Sequence, residues 1–82
     1  MRKVGDTVKI KSKKWIDAQE KDGDGDIDLG DILFVADMQE WAGREAKITK
    51  VRYYGNSSYY EIDIDEYNYD WVDEMFEDAP DA

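Results

Sequence analysis

The chain has 82 residues with 11 basic and 21 acidic side chains, a formal charge of −10, and neither histidine nor cysteine. That length fits one small domain. The missing residue types exclude a His- or Cys-ligated zinc site, a Cys or His nucleophile, a His-ligated haem and a disulfide framework.

Thr7-Val8-Lys9-Ile10-Lys11 alternates apolar and basic residues, which predicts a half-buried strand after the Gly5-Asp6 turn. Ser12 is placed to cap a short helix, Lys13 to Gln19, with Trp15 and Ile16 as its apolar residues. Residues 20–31 form an acidic loop punctuated by glycine. Ile32, Val35, Met38 and Trp41 recur every third residue, which predicts a helix from Asp31 to Ala42, ended by Gly43. Ala46 to Tyr53 reads as a strand, and the odd spacing of Ile48 and Val51 suggests a bulge. After a turn at 55–58, Tyr60, Ile62 and Ile64 alternate with acids in the clearest strand pattern of the chain. Tyr67, Tyr69 and Trp71 alternate in a further strand. Residues 73–76 suit a helical turn that tucks Met75 and Phe76 inward, and 78–82 suit a frayed acidic tail.

A mean hydropathy of −0.83 leans toward disorder. An aromatic content of 13%, with three Trp and six Tyr, opposes that. Each buried aromatic removes roughly 150–250 Å² from water, so a few supply a core for a small chain. Trp15, Trp41, Trp71 and Met38 are expected in it. The apolar runs are too short for a transmembrane helix, and the N-terminal basic residues have no apolar stretch behind them as a signal peptide would. A cytoplasmic protein is expected, with a monomer favoured.

The charge falls in four blocks. Residues 1–15 hold six bases and one acid; 16–43 hold one base and nine acids; 44–52 hold four bases and one acid; 53–82 hold ten acids and no base. Cross-strand pairing of basic with acidic segments, plus a solvated acidic face, is one account of this pattern.

A Gly-Asp-x-Val-x-Ile opening (Gly5, Asp6, Val8, Ile10) begins many SH3-like β-barrels. With the segments 34–38, 41–43, 46–49, 60–65 and 71–77, the chain resembles small uncharacterised SH3-like proteins of bacteriophages, prophages and gut bacteria. The resemblance spans most of residues 4–77 and carries fold more than activity. It implies a mainly β domain over 1–77, an SH3-like β-barrel with a long acidic loop and one short helix after the first strand. The chain lacks the Ala-Leu-Tyr-Asp-Tyr stretch of signalling SH3 domains, so no proline-peptide groove is implied.

Residues 20–31 have the spacing of a twelve-residue calcium loop. Glu20, Asp22, Asp24, Asp28 and Asp31 would supply side-chain oxygens, Asp26 its carbonyl, Gly25 the sharp turn and Ile27 the apolar anchor. The Asp-Gly-Asp-Gly-Asp-Ile-Asp run is similar to the calcium loops of dockerin modules. Glu at the first position crowds a tight site, and Asp at the last makes bidentate ligation harder. A register starting at Asp22 puts Ile27 where glycine belongs. The same Asp and Gly residues also suit a plain flexible turn. No cofactor is required by the sequence; calcium is the one it suggests.

Alternation turns Tyr60 inward and Tyr59 outward beside Glu61 and Asp63. Tyr59, Glu61, Asp63, Tyr67 and Tyr69 make a candidate acidic, aromatic face for a basic protein or peptide. Cross-strand aromatic packing accounts for the same residues. The expected function is a non-enzymatic interaction module with a basic partner. The alternatives are an acidic DNA-mimic inhibitor of a DNA-binding protein, or a calcium-stabilised binding domain. The net charge opposes direct nucleic-acid binding, although Lys9, Lys11, Lys13 and Lys14 are clustered.

Overall fold

The computed structural model describes residues 2–30, 32–66 and 69–77. The chain is mainly β. Two antiparallel sheets and one short helix surround a core of aromatic and aliphatic side chains, and among the described residues the sheets do not close into a barrel.

Strand β1 covers Thr7–Lys9 and buries Val8, as its alternation requires. It ends two residues earlier than predicted. Beyond it the Ile10 N–H bonds the Arg44 carbonyl, and the Lys11 N–H bonds the Met75 carbonyl. The chain thus leaves a regular ladder to bridge two neighbours, through the Ile10–Phe76 pair. Helix α1 covers Lys13–Asp17, and Ser12 Oγ accepts from the Trp15 N–H at 3.1 Å as its N-cap. It stops short of Gln19. The Gln19 N–H turns to the Ile16 carbonyl, and Lys21 Nζ donates to that same oxygen at 2.6 Å, so the last turn is closed off.

Residues 32–42 overturn the helix prediction. Strands β2 (Ile27–Asp28) and β3 (Leu33–Phe34) form a small hairpin, followed by a 3₁₀ turn at Met38–Trp41. The three-residue spacing of Val35, Met38 and Trp41 matches the period of a 3₁₀ turn, not an α-helix. Leu33 is exposed and Phe34 fully buried, which is strand alternation. Gly30, at φ 100°, makes the hairpin bend, and Asp28 Oδ1 accepts from its N–H at 2.8 Å.

Strand β4 (Glu45–Tyr54) pairs with β1 on one side and β5 (Ser57–Ile62) on the other. The expected bulge is present, between Ile48 and Lys50. Gly55, at φ 60°, opens the tight turn into β5. The strand ends at Ile62, so Ile64 lies beyond it in a turn. Of the predicted strand through Tyr67, Tyr69 and Trp71, the described residues show a single bridge. Trp71 exchanges both backbone hydrogen bonds with Tyr60, while residues 67 and 68 lie outside the described residues. A 3₁₀ turn at Asp73–Met75 buries Met75 and Phe76, as predicted. The proposed tail, 78–82, lies outside the described residues.

Trp71 is the centre of the core. Its ring stacks on Phe76 at 6.0 Å and meets Phe34 and Trp41 edge-on at 5.9 and 6.1 Å. Trp15 and Trp41 are only half-buried and pack on the rim, so full burial holds for one of the three tryptophans. No described helix is long and apolar enough to cross a membrane.

Candidate functional site

The acidic loop reaches its shape through its own backbone. Asp22 Oδ1 accepts from the N–H groups of Asp24 and Asp26 at 2.9 and 3.0 Å. The Asp22 N–H bonds the Asp26 carbonyl, and Gly25, at φ 84°, makes the reversal. Ile27 is buried and anchors the loop, as expected. These turns bring carboxylate oxygens of Asp22, Asp24 and Asp26 within 4.8 Å of one another.

Among the described residues, the other loop acids do not join them. Glu20 stands outside this group, and Asp28 is engaged at the Gly30 bend. Asp31 lies outside the described residues. Asp26 joins through its side chain, whereas its carbonyl accepts the Asp22 N–H; its Oδ1 also accepts from the Ala36 N–H at 2.9 Å. The three convergent acids are therefore the first, third and fifth positions of a register starting at Asp22. Sequence reasoning sets that register aside because of Ile27, but the reversal is made two residues earlier, at Gly25. The loop itself contains the first strand of a β-hairpin, Ile27–Asp28, and leads into Leu33–Phe34 in place of the expected helix.

The acidic aromatic residues are divided between two sides. Tyr59 stands on β5 opposite Arg52, its ring 5.5 Å from Tyr54. Arg52 pairs with Glu61 at 3.0 Å and with Asp70. Hydrogen bonding to Asp70 raises the guanidinium pKa above its ordinary value, against an opposing effect of desolvation. Asp63 Oδ1 accepts from the Lys47 N–H at 3.0 Å beside the bulge. Tyr69 turns the other way. Its ring meets Trp41 edge-on at 6.4 Å, and its hydroxyl donates to Asp37 at 3.3 Å. Tyr67 lies outside the described residues. Tyr59 and Glu61 thus share a face that Tyr69 does not.

Next to Tyr59 a cleft of about 240 Å³ opens between the β2–β3 hairpin, the β4–β5 turn and the Asp73–Met75 turn. Leu29, Ile32, Tyr59 and Val72 supply its apolar walls, Asn56, Ser57 and Ser58 its polar side, and Asp73 and Glu74 its charge. Sequence reasoning does not find it, since three distant segments meet there and two of the wall residues flank a bend it reads as a helix start. Asp73 is already occupied: Oδ1 accepts from the Tyr60 hydroxyl at 3.0 Å and pairs with Arg2. Burial, and then the bond to Asp73, raise the Tyr60 hydroxyl pKa above 10.0. The Arg2 guanidinium also lies over the Phe76 ring at 5.2 Å and reaches the Glu77 carbonyl at 3.4 Å.

No protein-family model, curated protein or solved structure matches the chain.

Proposed function

We propose that the protein is a non-enzymatic interaction module, SH3-like in build and cytoplasmic in a bacterial or phage-infected cell, that binds a basic protein or peptide. The observation that supports this is the uncompensated charge together with a mainly polar cleft that Tyr59 borders. Ion pairs among the described residues engage Asp17, Glu61, Asp70 and Asp73, while the whole chain carries a charge of −10. A surplus of that sign draws in cationic partners and repels acidic ones. Tyr59 at the cleft adds apolar area without adding charge. The test is calorimetric titration with an arginine-rich extended peptide and with the same peptide carrying glutamate for arginine. Binding of the first alone, weakening between about 20 and 300 mM salt, supports the reading. Equal binding of the two peptides, or no binding at low salt, overturns it. A DNA-imitating surface would instead capture a DNA-binding protein in competition with duplex DNA.

The convergence of Asp22, Asp24 and Asp26 favours a second reading, calcium as a stabiliser of the 20–31 loop. Oxygen ligands of this kind suit a hard divalent cation, and three like charges so close repel until one is bound. Calcium added to about 1–10 mM should shift the backbone amide resonances of Asp22 to Asp26 in a saturable way. Unchanged resonances over that range would remove the reading.

A further inference from the structure

We propose that the cleft seats one arginine or lysine side chain of an extended basic segment, whose backbone adds to the free edge of β5 at Ser58; this deepens, and rests on, the basic-partner reading. The backbone supplies the first argument. Tyr60 directs its N–H and carbonyl to Trp71, away from β4. Strand alternation points the N–H and carbonyl of Ser58 to that same edge. The Trp71 segment then departs, and no described backbone group pairs with Ser58 there. The unpaired edge and the cleft adjoin each other, since Ser58 lines both. Strand addition draws affinity from such an edge and selectivity from a side-chain pocket beside it.

The chemistry of the cleft chooses the occupant. Most of the lining is polar, and Leu29, Ile32 and Val72 contribute apolar residues against which an aliphatic stem can lie. The lining holds two carboxylates and no basic side chain. Asp73 already holds the Arg2 guanidinium, so this chain itself seats a cation on the same turn. Glu74, the next residue, is exposed and has no ion pair among the described residues. It is the acceptor for the incoming charge. An enclosed cavity of about 150 Å³ holds a benzene ring, so about 240 Å³ accommodates one long side chain.

The experiment titrates the intact protein, Glu74→Lys and Glu40→Lys with a peptide of alternating arginine and threonine, following affinity and amide resonances. Glu40 is exposed, and its substitution changes net charge equally without touching the cleft. The proposal expects resonance shifts at Ser58, Tyr59 and Glu74. It also expects Glu74→Lys to weaken binding about tenfold, and Glu40→Lys less than about twofold. Equal weakening by both variants, or shifts confined to other residues, overturns the cleft while leaving a basic partner in place. Failure of the intact protein to bind the peptide at low salt overturns both. Ser58→Pro deletes the edge donor. If it retains the intact protein's amide spectrum elsewhere and its affinity, strand addition is overturned.

Discussion

The buried Asp65 carboxylate accepts the indole N–H of Trp71 at 2.9 Å, and the same Oδ2 accepts the Tyr69 N–H at 2.7 Å. One acid therefore fixes both the ring at the centre of the core and the backbone that leads to it. Asp65 is the one polar residue buried among the described residues. Removing it leaves two donors without their acceptor, one of them deep inside. Asp65→Ala should cost about 2–4 kcal/mol, since bonds to a charged group are among the stronger ones and a stranded buried donor adds its own penalty. Urea unfolding followed by tryptophan emission measures this. A loss below about 0.5 kcal/mol would show that the bond is replaced by solvent.

Which parts of this arrangement are visible in the sequence depends on how local their cause is. The Ser12 cap, the β4 bulge and the inward side of Tyr60 and Ile62 follow from neighbouring residues, and all are present. The 31–42 segment misleads because a spacing of three fits a 3₁₀ turn as well as a helix, and because two-residue strands are too short to show alternation. At the candidate site, the turning of Asp22 to Asp26 is set within the loop, but the separation of Tyr69 from Tyr59 depends on Trp41 and Asp37, far away in sequence. The cleft is further still from any local signal, as its walls come from three segments.

Gln39 offers a test of the corrected segment. Its Nε2 donates to the Phe34 carbonyl at 2.8 Å and to the Gly25 carbonyl at 3.0 Å. The side chain thus ties the 3₁₀ turn to the end of β3 and to the acidic loop. Gln39→Ala should lower stability by about 1–2 kcal/mol and speed amide exchange at Gly25 and Asp26. Unchanged exchange at those amides would show that the loop holds itself.

Gly30 carries the bend between β2 and β3. At φ 100° the backbone is one that side chains rarely adopt, although no atom would crowd the new Cβ. Gly30→Ala should therefore cost about 1–2 kcal/mol through backbone strain alone. Denaturant midpoints of the two proteins test this, and an unchanged or increased stability would speak against a strained bend at Gly30.

Tyr60 makes stability depend on high pH. Its hydroxyl is buried and donates to Asp73, so its folded pKa lies above the ordinary 10.0. The protonated form is the one the fold prefers. Below the unfolded pKa both states keep the proton, and the contribution is fully present. As pH rises past 10.0, the unfolded chain loses the proton first and stability falls, until the folded hydroxyl also ionises. Tyr60→Phe cannot ionise, so its stability should decline less steeply above pH 10 than that of the intact protein. The remaining tyrosines ionise in both proteins, so the difference between the two profiles reports Tyr60. Parallel alkaline profiles would mean that this hydroxyl is as free to ionise in the fold as in the unfolded chain.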